Sequence, residues 1–209
     1  MPAETITLLK KYWCDDLSHS ELQSALRERD RKHRFEFESS PYLGPFAEVL
    51  PETFPEAKFV LTVRRPRPWL RSFVDRCINF PRSELAKPYT QLRDFCFEPP
   101  PDQYPDEEKV LEPYNCHTLG NFLRYWAWHN RLVLKNIPTS RLQVIRTSAL
   151  DEAPSRLAQF FGIDANALTN PGRQNGSLDR HHVLDYVPDS YIQRLIDKHC
   201  RDVMDALQI

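Results

Sequence analysis

The sequence predicts an α/β fold in which a small parallel sheet is flanked by helices. Three observations carry this expectation. The segment AKFVLTVR (57–64) is apolar, rich in β-branched residues and bounded by Pro55 and Pro66, as a buried parallel strand requires. The segment LQVIRTS (142–148) has the same character. The stretches around both carry apolar residues at helical spacing, and alternating strands and helices build parallel sheets.

Each element follows in order. Residues 4–13 alternate weakly and suit a short helix or a strand. Asp16 to Arg31 predicts a helix: Ser18 can cap it, Glu21 follows three residues later, and Leu22, Ala25 and Leu26 form an apolar stripe. RFEF (34–37) reads as a short strand. Pro41, Gly44 and Pro45 punctuate the chain before Phe46, Val49 and Leu50 begin another helical stripe. The strand at 57–64 leads into a helix from about Pro68 that carries Trp69, Phe73, Val74 and Cys77. Residues 81–113 hold seven of the 18 prolines and read as an insertion or lid of loops and short helices within one domain spanning 1–209. An amphipathic helix is expected over about 118–136. After the strand at 142–148, Ala153 to Phe161 predicts a helix with Leu157, Phe160 and Phe161 inward, ended by Gly162. Residues 169–187 read as a polar loop, and Pro188 opens a last helix that reaches Leu207.

Composition excludes several functions. The 209 residues carry 28 Lys and Arg against 29 Asp and Glu, a net charge of −1, which argues against a general nucleic-acid binder. No apolar run approaches the roughly 18 residues that a membrane helix needs. The first residues show no charged-then-apolar leader pattern. The five cysteines are scattered, odd in number and contain no CxxC pair, so neither a zinc site nor a disulfide framework is expected. Together these features read as a reduced, cytoplasmic compartment. Only five glycines occur, none before Gly44, so a Gly-rich phosphate loop is absent from the first 43 residues.

The strongest chemistry lies where the strand at 57–64 ends. Arg64 sits at the strand's carboxyl end, and Ser72 follows eight residues later in the helix. Ligands of open α/β sheets bind at such strand ends. A guanidinium and a hydroxyl placed there can share one phosphate through charge-assisted hydrogen bonds. Arg65, Arg67 and Arg71 add positive potential. A solvated basic turn beside an ordinary helix serine is the alternative.

FPEAKFVLTVRRPRPWLRSF resembles the 3′-phosphate-binding segment of sulfotransferases that use 3′-phosphoadenosine 5′-phosphosulfate (PAPS). The resemblance extends to FLRYWAWHNRLVLKNIPTSRLQVIRTSAL, SRLAQFFGI and VPDSYIQRLIDKHCRDVMDALQI, and covers about 34–80 and 118–209. It implies a P-loop-type sulfotransferase-like fold and transfer of a sulfuryl group from PAPS, with no metal, to a hydroxyl or amine of a small-molecule or glycan-like acceptor. Arg64 and Ser72 then take the 3′-phosphate. FEFESSPYL is similar to a stretch in which some members place a catalytic base, which assigns that role to Glu38; Ser40 and Tyr42 lie nearby, and Glu36 stays open as a substitute. The loop NPGRQNGSLDRHH resembles the family's nucleotide-covering loop and offers Arg173 and Gly176, with Arg180 a weaker match. His181 and His182 are adjacent and lack a third ligand, so no metal is expected. His129 reads as a satisfied buried histidine.

One part of the family pattern is missing. Members open with a strand and a Gly/Ser/Thr-rich loop that wraps the 5′-phosphosulfate. Here the first strand and phosphate loop are missing or rearranged. Three expectations stand open: the given sequence starts downstream of them, Lys10 and Lys11 act in their place, or the chain is a degenerate member. A sheet short of its first strand leads us to expect a rearranged fold or one completed by a partner chain, with a homo-oligomer as one outcome. A non-catalytic binding protein on the same scaffold is therefore the competing expectation. A P-loop kinase is disfavoured, because neither GxxxxGK[ST] nor a Mg²⁺-binding Asp after a strand is present.

Overall fold

A computed structural model describes residues 2–80, 87–164 and 181–209, with no side-chain placement for residues 2, 3 and 87–89. Eight α-helices and two strands occur among them: α1 Pro2–Trp13, α2 His19–His33, α3 Leu50–Thr53, β1 Phe59–Val63, α4 Pro66–Asn79, α5 Lys87–Phe97, α6 Leu119–Asn136, β2 Leu142–Arg146, α7 Ala153–Phe161 and α8 Asp189–Leu207. β1 and β2 pair in a two-stranded parallel sheet, and the rest is mostly helical. The chain divides into two compact units, residues 1–61 with 129–144 and residues 62–128 with 145–209.

In the first unit, local chemistry sets the helices. Ser18 and Glu21 form a reciprocal capping box that starts α2: the Glu21 N–H donates to Ser18 Oγ, and the Ser18 N–H donates to Glu21 Oε2 at 2.8 Å. α2 ends at Arg34, whose left-handed backbone (φ 51°) turns the chain away. A core of Ala47, Leu61, Val133 and Ile137 is flanked by Phe59, Leu132, Leu142 and Val144. Arg141, just before β2, ties down the approach to β1. Its guanidinium donates to the carbonyls of Phe54 (3.0 Å), Pro55 (2.6 Å), Ala57 (3.4 Å) and Pro51 (3.1 Å). These carbonyls lie at and beyond the end of α3, where an α-helix leaves its last acceptors unpaired. One planar fork satisfies them together.

The second unit is built on aromatic packing. Trp69 stacks on Phe73 at 4.1 Å, and Phe73 meets the rings of Phe97 and Phe122 edge-on. Phe97 in turn packs on Tyr125 at 4.8 Å. The proline-rich stretch is anchored here through Glu108, which lies in a 3-10 helix over Asp106–Tyr114 and is 1% exposed. Its carboxylate accepts from the Leu119 N–H at the start of α6 (2.9 Å) and from the Tyr191 hydroxyl of α8 (2.8 Å). Burial raises the Glu108 pKa, against the lowering effect of those two donors.

Several elements differ from expectation. RFEF forms no strand: residues 34–37 run as turn and bend. A strand needs a pairing partner, and the described sheet contains β1 and β2 alone. Aromatic and cationic contacts hold the segment instead, with the Arg29 guanidinium 4.9 Å from the Phe35 ring centre and His33 5.3 Å from it. On α7, Ala153 and Ala158 are the buried residues, while Leu157, Phe160 and Phe161 are half-buried. The weakly alternating start is helical, as α1.

Two outcomes follow. Arg141→Ala lowers the unfolding free energy by roughly 2 kcal/mol or more, since several charge-assisted bonds go at once; chemical denaturation measures this. Because Glu108 has its pKa raised by folding, its contribution to stability is full below the ordinary value of 4.5 and is lost as pH rises through the folded value. The difference in unfolding free energy between wild type and Glu108→Gln therefore shifts in favour of the variant from pH 4.5 to pH 7.

Candidate functional site

The residues singled out by sequence fall in both units. Arg64, directly after β1, and Ser72, in α4, belong to the second; Glu38 belongs to the first. Arg173, Gly176 and Arg180 lie outside the described residues.

Around Arg64, the backbone is fixed and the charge is left over. The Trp126 indole N–H donates to the Arg64 carbonyl at 3.0 Å, and Trp126 itself is 2% exposed. This pins the strand end to α6. Along α4, Arg67 pairs with Asp189, and Arg71 pairs with Asp185 at 2.6 Å. Asp185 also accepts from His182 at 3.1 Å, and these donors hold its carboxyl below the usual range, His182 contributing most. Arg64 and Arg65 are exposed, and their side chains have no hydrogen-bond or ion-pair partner among the described residues. The half-buried Ser72 hydroxyl likewise has none. Positive charge is thus neutralised at Arg67 and Arg71 and meets no counter-charge among the described residues at Arg64 and Arg65.

The sequence of α4 also limits what its N-terminus offers. Arg65 is the N-cap residue, and Pro66 and Pro68 occupy the first turn. An α-helix ordinarily leaves four N–H groups unpaired there, but prolines have none. Two of the four are missing. An anion at this end must be gripped by side chains, which favours the guanidiniums of Arg64 and Arg65 and the hydroxyl of Ser72.

The two histidines that follow the undescribed residues 165–180 serve the same helix. The His181 N–H donates to Asp75 Oδ1 at 3.2 Å, and its ring meets Asn79 Oδ1 at 2.8 Å. Asp75 is buried on α4. The His181 ring thus docks on α4 directly, while the His182 ring holds Asp185, which in turn pairs with Arg71 of α4.

In the first unit, Glu38 lines a cavity of about 290 Å³ with Thr5, Phe35, Phe37, Ser39, Ser40, Pro41 and Tyr42. Its Oε1 accepts from the Arg29 guanidinium. Arg29 is 4% exposed, and its Nε has no hydrogen-bond partner. The pairing gives Glu38 a fixed orientation and gives Arg29 the counter-charge that its burial demands. Glu36 is exposed and does not line the cavity.

Behind Tyr42, Gly44 meets His129. A Cβ on Gly44 would lie 2.0 Å from His129 Nε2, so only glycine fits. Burial of the His129 ring depresses its pKa to about 4, against the raising effect of a hydrogen bond with the backbone of Pro41. Pro41 can only accept, so a ring N–H donates.

Residues 40–171 match a family model described as a sulfotransferase domain. The chain belongs to the sulfotransferase family. The match spans more than half of the chain and contains Arg64 and Ser72; Glu38, Arg173 and Gly176 fall outside it. It also runs through the proline-rich stretch of this sulfotransferase-like protein. No curated protein and no solved structure matches the chain. Among the described residues no helix is long and apolar enough to cross a membrane, and none of the five cysteines forms a disulfide.

Sequence reasoning missed three features here. Arg29 follows Leu22 and Leu26 on the same apolar stripe, and a cation at that spacing was the available signal for a buried ion pair. Gly44 is more than punctuation, because His129 fills the space a side chain would take. The ion pairs of Arg67 and Arg71 join residues more than 110 positions apart, which no local pattern reports.

A depressed histidine pKa stabilises the fold above its ordinary value of 6.5, and that contribution is lost as pH falls towards 4. NMR titration of His129 should give a midpoint near 4. A midpoint near 6.5 contradicts the enclosure of the ring.

Proposed function

We propose that this sulfotransferase-like protein transfers a sulfuryl group from PAPS to a hydroxyl or amine acceptor. The observation that carries the proposal is the guanidinium of Arg64, which has no counter-charge among the described residues and leaves a backbone fixed at the end of β1, followed by Ser72 on α4, whose hydroxyl has no partner among them either. That pair suits a nucleotide 3′-phosphate: the guanidinium supplies charge and directed N–H donors, and the hydroxyl supplies one more. Arg173 and Gly176, which precede His181 in sequence, assist by covering the nucleotide.

Glu38 serves as the base. Its carboxylate takes the proton from the acceptor oxygen as that oxygen bonds to sulfur, and the bond from sulfur to the phosphate oxygen breaks, releasing adenosine 3′,5′-bisphosphate. Arg29 keeps the carboxylate oriented for this transfer. PAPS supplies the activated sulfuryl group, and no metal takes part.

A second reading, a binding protein without catalysis, draws on the same ion pair: a carboxylate held by a buried guanidinium is also a structural element. The glycine-free stretch before Gly44 favours it as well.

Thermal shift with adenosine 3′,5′-bisphosphate tests the nucleotide site. At about 100 times Kd the ligand stabilises by about 2.7 kcal/mol. Wild type should shift, while Arg64→Ala and Ser72→Ala should shift less. Turnover of labelled PAPS then separates the readings: Glu38→Gln should lose roughly 100-fold or more in rate with nucleotide binding intact. Nucleotide binding in wild type without any turnover supports the binding protein.

A further inference from the structure

We infer that residues 181–189 form a strap that holds the start of α4 in place, with Asp185 and Asp189 as positioning residues for the anion site of Arg64, Arg65 and Ser72. The inference rests on the nucleotide-binding reading and names what fixes that site.

Three observations lead there. The first is register. Asp189 pairs with Arg67, and Asp185 pairs with Arg71 at 2.6 Å. The His181 N–H donates to Asp75 at 3.2 Å, and its ring meets Asn79 at 2.8 Å. The partners advance in steps of four along α4 (67, 71, 75, 79) and retreat in steps of four along the strap (189, 185, 181). Residues four apart share one face of a helix. One face of α4 is thus met, rung by rung, by a segment that runs antiparallel to it. Between the rungs Val183, Leu184 and Val187 are buried, so the strap has an apolar underside that seats it.

The second observation is charge. The first two turns of α4, PRPWLRSF (66–73), carry two arginines and no acid. Cations are unfavourable at a helix N-terminus, where the macrodipole is positive. Arg65, at the N-cap, has no acceptor in its side chain and cannot supply the usual cap. The carboxylates that this helix start lacks come from the strap, as Asp185 and Asp189. The third observation is placement. Ser72 follows Arg71, about 100° further round the helix, and Arg64 and Arg65 precede the first rung. The strap therefore grips α4 beside the proposed phosphate groups without taking their face. The Asp185 and Asp189 side chains are 48% and 80% exposed, and ion pairs as open as these add little to global stability. What they contribute is the position of one helix end.

The test uses the full chain, as wild type and as the double variant Asp185→Asn/Asp189→Asn. At the start of α4 the Trp69 N–H donates to the Arg65 carbonyl at 3.1 Å. In the ligand-free chain, amide hydrogen exchange at residues 69–71 should quicken about fivefold in the variant, while residues 196–203 of α8 keep their rates. The melting temperature should move by about 3 °C or less. Adenosine 3′,5′-bisphosphate should bind the variant about fivefold more weakly by calorimetry. The sign separates position from charge. Removing two negative charges beside an anion site strengthens anion binding through electrostatics alone, so weaker binding reports lost position. Unchanged or tighter binding in the variant overturns the inference, and so does unaltered exchange at residues 69–71. A wild type that binds no nucleotide, in a chain whose exchange responds as expected, removes the nucleotide reading and supports the strap's hold on α4.

Discussion

A positive charge that meets no counter-charge among the described residues, at the end of a short strand, is the constraint on which the proposed function depends. Here the Arg64 carbonyl is clamped by a buried tryptophan, so the side chain leaves the backbone from a settled point. Arg67 and Arg71 are drawn off by Asp189 and Asp185. Two prolines remove half of the N–H donors that a helix start would lend to an anion. What remains is a pair of guanidiniums and a hydroxyl. Recognition by such groups is more demanding of geometry than recognition by a helix terminus, because each bond has a direction.

The first unit handles charge in the opposite way. Arg29 is buried and must have a partner, and Glu38 supplies it. The same pairing holds a carboxylate at the wall of an aromatic-lined cavity with its orientation set. Gly44 and His129 form a second fixed point a few residues on, where one missing side chain makes room for a neutral imidazole. The stretch 34–44 therefore owes its shape to side-chain contacts rather than to backbone pairing.

This contrast explains what could be read in the sequence. β1, β2, α2, α4 and α8 were legible because each depends on local rules: β-branched runs, a capping box, and proline at or beside a helix start. The Arg64–Ser72 spacing on which the proposed nucleotide site rests is likewise a local pattern, running from a strand end into the next helix. The RFEF strand was misread because alternation alone does not create a partner strand. The ion pair of Arg29 with Glu38, the four carbonyls gathered by Arg141 and the docking of His181 on Asp75 all join distant stretches. Those contacts belong to the tertiary structure, and only hints of them, such as a cation on an apolar stripe, reach the sequence.

The most direct measurement compares the affinity of adenosine 3′,5′-bisphosphate with that of adenosine 5′-monophosphate, which lacks the 3′-phosphate, in wild type and in Arg64→Ala. Charge-assisted bonds to one phosphate are each worth about 1.5–3 kcal/mol, so wild type should prefer the bisphosphate by at least about tenfold, and the preference should collapse in the variant. Equal affinity for the two nucleotides in wild type, or a preference that survives the loss of Arg64, would contradict the account.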